Sequence, residues 1–334
     1  MSGGDSSDQT KQTMTTVRAA NAAEKMRGRA CVITGATSGI GRAVAIELAK
    51  QGACLILVGR HPVRGEALAS RLCRQHGSDS ASFVRADLGS RREVEQLAGE
   101  IRNRFAVIDV LINNAGARFD EYGASPEGLE RTFAGNHLGH FLLTALLLER
   151  LLLSLDGRIV TLGSGAHGVT PPAGWILSEA NYDRKLAYGS SKLANIMFAY
   201  ELSRRLRGTS VTVNAFDPGG VATRLGLNNG LKAWLKHIGY YLRKRQLLSP
   251  RRAGRDLVFL CTAPELRGQT GGYYSGGRKI QSSPLSHDRS WARALWRISL
   301  ERSHLNAERL GRAWAYFAPE DDASSGESFD FLIE

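Results

Sequence analysis

Two stretches of the chain carry chemistry by residue type and spacing. In Tyr188-Gly189-Ser190-Ser191-Lys192 a phenol and an ammonium stand at i and i+4, so a helix puts them on one face. A free phenol has a pKa of about 10, too high for efficient proton exchange near neutrality, and an adjacent cation favours the phenolate and brings it into range. Far upstream, Thr34-Gly35-Ala36-Thr37-Ser38-Gly39-Ile40-Gly41-Arg42 places three glycines between a β-branched run and an amphipathic one. With no side chains in the way, backbone N–H groups can close on a pyrophosphate at a helix N-terminus, where the dipole favours negative charge.

The second strand tests which nucleotide such a turn would hold. Sites built for NAD place an Asp or Glu against the ribose 2′-hydroxyl, but here the strand ends Val58-Gly59-Arg60-His61. Arg60, joined by Arg42 from the glycine turn, could pair with a 2′-phosphate, which favours NADP(H) over NAD(H). Asp87 and Leu88, just after the third strand, are placed to face the adenine. Asn114-Ala115-Gly116 closes the fourth strand, where the backbone must pass close to the nucleotide. His137, His140 and His167 have no carboxylate or cysteine at ligand spacing, so no metal site is expected.

These groups need a scaffold, and short apolar runs alternating with longer amphipathic ones supply it. The pattern predicts strands at Ala30 to Thr34, Cys54 to Gly59, Ser82 to Arg85, Val110 to Asn113, Arg158 to Leu162, Val211 to Ala215 and Gly272 to Tyr274. Helices are predicted at Ile40 to Gln51, Val63 to His76, Arg91 to Phe105, Leu129 to Leu153, Tyr188 to Leu206 and Arg251 to Cys261. Strict alternation makes this an α/β chain: one Rossmann-type domain, a doubly wound parallel sheet of about seven strands flanked by helices. It should occupy residues 29–277, after a polar, disordered leader at 1–28. Leu225 to Leu248 mixes Trp234, Leu235, Tyr240 and Tyr241 with basic residues and is a candidate lid. Beyond Gly277 the sheet should be finished, leaving an extension at 278–317 with an amphipathic helix near Ser290 to His304, then an acidic tail at 318–334.

Composition bounds the rest. At 334 residues, 43% hydrophobic and 23% charged, the chain can bury a large core and is not a disordered protein. A formal charge of +12 suggests an anionic partner such as a phosphorylated cofactor or a membrane surface. Basic charge without a reading motif gives only salt-sensitive attraction, so no specific nucleic acid is expected. The four cysteines form no C-x-x-C pair, and the leader lacks the apolar core of a signal peptide, which together predict a reducing, cytoplasmic setting.

The ordered motifs resemble the short-chain dehydrogenase/reductase family. They run through T-G-x-x-x-G-I-G (Thr34 to Gly41), N-N-A-G (Asn113 to Gly116), Asn136, Ser164, Tyr188 with Lys192, and P-G-x-V-x-T, which comprises Pro218, Gly219, Val221 and Thr223. The resemblance implies that Tyr188 is the general acid and base, that Ser164 holds the substrate oxygen, and that Lys192 lowers the tyrosine pKa and binds the nicotinamide ribose. It further implies that Asn136 holds a water relaying protons to Lys192. Asn136-His137-Leu138-Gly139-His140, Ala166-His167 and Ser191-Lys192-Leu193-Ala194-Asn195 look like the retinol-dehydrogenase-like branch, with Gly163 where a serine commonly precedes the catalytic one. That branch implies a lipophilic alcohol, aldehyde or ketone as substrate, and the family implies a homo-oligomer paired through the helices bearing Asn136 and Tyr188. Pro171, Pro172 and Trp175 are expected in a loop bordering the pocket, and the basic face of 225–248 could touch an anionic membrane. A different class of reading is a non-catalytic NADP(H)-binding sensor or scaffold acting through a partner.

Overall fold

The apolar runs form β1 (Ala30–Thr34), β2 (Cys54–Gly59), β3 (Ala81–Arg85), β4 (Val110–Asn113), β5 (Gly157–Leu162), β6 (Val211–Phe216) and β7 (Tyr273–Ser275). The computed structural model describes residues 25–319, apart from 222–224, 226–228, 231–234, 236–238, 240–241 and 243–246. Thr223 and most of the expected lid, including Trp234, Tyr240 and Tyr241, lie outside the described residues, as do the leader to 24 and the tail from 320.

The sheet order is β3-β2-β1-β4-β5-β6-β7-β8, parallel from β3 to β7. β1 pairs with both β2 and β4, so the chain reverses its winding there and opens a crevice beyond the carboxyl ends of these strands. One correction concerns the edge. β8 (Arg278–Ile280) turns back antiparallel on β7, so the sheet has eight strands and continues past Gly277.

Helices cover both faces, as fully apolar parallel strands require. On one side lie α1 (Gly39–Ala49), α2 (Pro62–His76) and, from later in the chain, a helix at Pro250–Thr262, with Val44, Leu48, Leu72 and Leu257 meeting the strands. On the other lie α3 (Arg91–Arg104), α4 (Gly139–Leu152) and α5 (Arg184–Arg205), with Leu97, Ile101, Phe141, Leu147, Phe198 and Leu202 in one cluster. The Pro250–Thr262 helix, α6, opens on Pro at its first turn with Ser249 as cap, and Asp183 caps α5 by accepting from the Lys185 and Leu186 N–H groups. That cap starts α5 four residues ahead of Tyr188, so the tyrosine stands in the second turn.

The predicted helix from Leu129 is in fact composite. One turn at Arg131–Phe133 passes through a π-helical turn, Ala134–Leu138, into α4. Such turns insert a residue into a helix and recur at functional sites, and here the turn carries Asn136. Gly139 follows because a Cβ at that position would overlap the Leu88 carbonyl oxygen.

The C-terminal extension folds onto α4 and α5. Its helix α7 (Arg289–Arg302), followed by short turns at Ala307–Leu310 and Trp314–Phe317, brings Trp296, Leu300, Leu310 and Phe317 into the same cluster as Phe141 and Phe198. Arg205 on α5 donates to the Ala318 carbonyl at 2.7 Å, and Arg309 bridges to Glu95 at 2.5 Å. The helices through which the resemblance would pair two copies are thus covered in part by the chain's own end. All four cysteines are free, Cys31 and Cys261 buried, Cys54 and Cys73 half-buried. Among the described residues no helix is long and apolar enough to cross a membrane.

Candidate active site

The crevice is a cleft of about 1210 Å³ that gathers nearly all the predicted residues. Gly35, Thr37, Ser38, Gly39 and Ile40 line it from the glycine turn, and Arg60 from β2. Asp87 and Leu88 follow β3, while Asn114, Ala115 and Gly116 follow β4. Asn136, Ser164, Tyr188, Lys192, Pro218, Gly219 and Val221 close the far half. Gly35 shows why the turn needs glycine: φ is +67°, and a Cβ would come within 2.8 Å of the Ala115 Cα. Thr34 fastens this turn to the next strand, its Oγ1 accepting from the Asn114 and Ala115 N–H groups at 2.9 and 3.0 Å. The cradle fits a dinucleotide phosphate: backbone N–H groups at a helix start, opened by Gly35 and Gly39 with the hydroxyl residues Thr37 and Ser38 between them.

Two predicted residues stand apart. Gly41 packs beneath the turn, where a Cβ would meet the Gly35 carbonyl oxygen at 2.5 Å, and Arg42 is exposed and outside the lining. A cation that lines the cleft close in sequence to Arg60 is Arg64, in the first turn of α2 behind Pro62, together with His61. Pro62 marks the helix start in the sequence, and with it the place of Arg64 in the first turn. Arg60 itself makes a loose, half-exposed pair with Asp87 at 3.7 Å, a contact worth little by itself in water.

The tyrosine half of the site is tightly organised. Lys192 is 4% exposed, its Nζ 5.7 Å from the Tyr188 ring centroid and donating to the Leu162 carbonyl at 3.2 Å. Asn195, three residues after Lys192, donates to the same carbonyl at 3.0 Å. Burial pushes the Lys192 ammonium down to about 8, with the Asp217 carboxylate opposing the fall. Asp217 in turn accepts from the Tyr273 hydroxyl at 3.1 Å. Asn136 has its side-chain amide committed: Oδ1 accepts from the Ala117 N–H at 2.8 Å, and Nδ2 donates to the Ala117 carbonyl at 2.9 Å and to Ser191 Oγ at 3.0 Å. Ser191 passes the contact on, donating to the Tyr188 carbonyl at 2.8 Å.

Ser164 caps the short 3-10 turn that follows β5, its Oγ accepting from the Ala166 N–H at 3.2 Å. Gly163 before it has a local reason, since a Cβ there would stand 2.9 Å from the Ile196 side chain and 3.2 Å from the Tyr273 ring. His167 and His137 are held by hydrogen bonds away from the reacting groups. His167 donates from Nδ1 to the Ser164 carbonyl at 2.7 Å and accepts the Ser283 N–H at Nε2, 2.8 Å. His137 bridges Asn195 and Ser299, and burial pushes it down to about 3.

Trp175 is not at the pocket edge. It is 2% exposed and packs against Trp291 of the extension, so its loop is anchored outward, leaving Val169 as the loop's contribution to the cleft. At the expected lid, Leu225 lines the cleft, and Asn229 exchanges hydrogen bonds with the 118–120 backbone, donating to the Arg118 carbonyl at 2.8 Å and accepting from the Asp120 N–H at 3.1 Å. The far end of the segment returns at Leu248, whose N–H donates to the Gly220 carbonyl at 2.7 Å.

Comparison with known proteins agrees with this geometry. The family model for short chain dehydrogenase matches residues 29–233. Human retinol dehydrogenase 13 is 37% identical over 292 residues, covering 84% of this chain and 86% of that protein. Mouse polyprenol dehydrogenase is 36% identical over 278 residues, covering 80% and 82%. A crystal structure of an uncharacterized protein from Mycobacterium paratuberculosis superposes with a TM-score of 0.66 at 29% identity, covering 86% of this chain and 97% of that one.

Proposed function

This chain belongs to the short-chain dehydrogenase family, and on that footing we propose that it uses NADP(H) to interconvert an alcohol and a carbonyl on a small to medium lipophilic molecule. The observation that carries the reading is the buried Lys192 beside the Tyr188 ring, at the inner end of a cleft whose outer end is the glycine turn. When bound, a nicotinamide supplies or takes up a hydride. Gly35 to Ile40 would hold the phosphates, and Asn114 to Gly116 the stretch of nucleotide that crosses β4.

Tyr188 gives its proton to the carbonyl oxygen in reduction and takes it back in oxidation. The Lys192 ammonium keeps the phenol acidic enough to do so at neutral pH. Ser164 donates to the same oxygen and fixes its position. Asn136, with its amide spent on Ala117 and Ser191, we assign to holding the 114–117 turn against α5. The lipophilic class rests on Phe119, Val169, Pro218 and Leu225 in the cleft wall, and on relatives named for retinol and polyprenol. The membrane contact proposed for the lid segment is supported by Leu235 and Leu242, exposed at 54% and 59%. The four free thiols support a reducing compartment.

The test is a panel of lipophilic aldehydes, ketones and alcohols assayed with NADPH and NADH side by side. NADPH should be used at least about tenfold better, as one or two charge-assisted contacts to a 2′-phosphate would give. A double Arg60→Ala, Arg64→Ala variant should raise KM for NADPH by about tenfold or more while moving KM for NADH by less than about twofold. Equal loss with both nucleotides removes the arginines from phosphate recognition. Nucleotide binding without turnover of any panel member returns the protein to a sensor or scaffold role.

A further inference from the structure

His140 is fully buried and sits between the two halves of the site without lining the cleft. Its Nδ1 is 2.8 Å from the Asn136 carbonyl oxygen and its Nε2 is 2.9 Å from Thr34 Oγ1. A carbonyl can only accept, so Nδ1 carries the proton and Nε2 is the acceptor. The Thr34 hydroxyl proton has two acceptors in reach, the Ile112 carbonyl at 3.2 Å and His140 Nε2 at 2.9 Å, and the imidazole is the nearer. The two remaining lone pairs on Thr34 Oγ1 take the Asn114 and Ala115 N–H groups.

A directional series of hydrogen bonds results. It runs from the Asn114 and Ala115 N–H groups to Thr34, from Thr34 to His140, and from His140 to the Asn136 carbonyl. On the same residue the Asn136 side chain continues to Ser191 and so to the Tyr188 backbone. Asn136 stands in a π-helical turn, Ala134–Leu138, and its carbonyl oxygen accepts from the imidazole four positions on. An imidazole at this place links that carbonyl to Thr34, its two ring nitrogens spanning the gap between them.

We propose that His140 is a positioning residue that ties the Asn136 carbonyl, through Thr34, to the nucleotide-facing turn at 114–115, so that Tyr188 and the nucleotide cleft are held in one register. This rests on the oxidoreductase reading of the site. The link requires a neutral imidazole with its proton on Nδ1, and the surroundings favour one: burial pushes His140 down to about 4, with the Lys192 ammonium acting in the same direction.

The test has an arm that does not involve turnover. In two-bond proton–nitrogen NMR spectra of the wild-type protein at neutral pH, His140 should be neutral and protonated at Nδ1; a proton on Nε2 overturns the proposal. In the second arm, His140→Phe should lower kcat by about tenfold while KM for the nucleotide stays within about twofold, because small displacements of a positioned group cost rate before they cost binding. His140→Asn, whose Nδ2 can still donate to the Asn136 carbonyl but which has no atom at the Nε2 position to accept from Thr34, keeps one end of the link only and should leave kcat between the His140→Phe and wild-type values, at least about threefold below wild type. His137→Phe alters an equally buried histidine of the same turn that is tied to Ser299 instead, and should lower Tm with kcat within about twofold. Equal kcat losses in the His140→Phe and His137→Phe proteins, or wild-type kcat in His140→Asn, overturn the proposal. If His140→Phe does not fold, the tautomer and His140→Asn still decide it. A wild-type protein that turns over no substrate sinks the oxidoreductase reading and leaves the tautomer result standing by itself, so the two failures are told apart.

Discussion

Tyr188→Phe is expected to lower kcat by about 10²- to 10⁴-fold, the usual worth of a positioned general acid, with nucleotide affinity unchanged. The substitution removes one oxygen and keeps the ring that lies 5.7 Å from Lys192 Nζ. The backbone at this position is held independently, since Ser191 binds the Tyr188 carbonyl and Asp183 caps the helix. The residues lining the nucleotide end of the cleft belong mostly to the glycine turn and the ends of β2, β3 and β4, elements the change does not touch. Thermal stability should therefore stay within about 1 kcal/mol of wild type. Fluorescence titration with NADPH alongside steady-state kinetics checks both halves. Retention of a third or more of wild-type turnover in a protein that binds nucleotide normally would remove the phenol from the proton path.

The second large effect is on stability. Trp296→Ala should cost about 3–5 kcal/mol, the range for truncating a buried tryptophan, and lower Tm on the order of 10 °C. Trp296 is 3% exposed and lies on α7, where it meets Phe141, Phe198 and Phe317 with ring centroids 5.2–5.9 Å apart. Its Nε1 donates to the Phe317 carbonyl at 2.9 Å, and the Arg205 guanidinium stacks over it at 4.3 Å. Truncation leaves a cavity between α4, α5 and the extension and also frees the segment that Arg205 clasps at Ala318. No atom of Trp296 lines the cleft, so kcat at 25 °C should change by less than about threefold. Differential scanning calorimetry reads the first effect. A Tm within about 2 °C of wild type would mean that the extension is an appendage and not part of the core.

Much of this architecture is legible from residue order. β1, β2 and β4 were readable to the residue because strands buried on both faces must be continuously apolar, as ACVIT, CLILVG and VLIN are. Tyr188 with Lys192, and the glycine turn, are readable because their chemistry fixes their spacing. What escaped the sequence depends on contacts between distant residues. β8 reads Arg-Lys-Ile and is wholly exposed, so no hydrophobic pattern announces it, only the neighbouring β7. The π turn around Asn136 has the same residue types as an ordinary helix and differs only in register. Arg42 and Arg64 are equally basic, and which one lines the cleft depends on how each helix is rotated against the sheet. Trp175 looked like a pocket wall among prolines, but Trp291, more than a hundred residues later, covers it.

On the function proposed above, the site's chemistry turns on the charge of Lys192 acting on Tyr188, and that dependence has a sign. With the ammonium pushed down to about 8, Lys192 is charged below that pH and loses its proton above it. The cation that favours the phenolate is then gone and Tyr188 becomes a poorer proton donor. The direct measurement is the pH dependence of kcat/KM for carbonyl reduction, with NADPH as the varied substrate so that the free protein is reported, in wild type and in Lys192→Met. Wild type should fall off above pH about 8, and Lys192→Met should be slower by about 100-fold or more at neutral pH, with that limb absent. A methionine variant that retains wild-type rates, or that keeps the same fall near pH 8, contradicts the account.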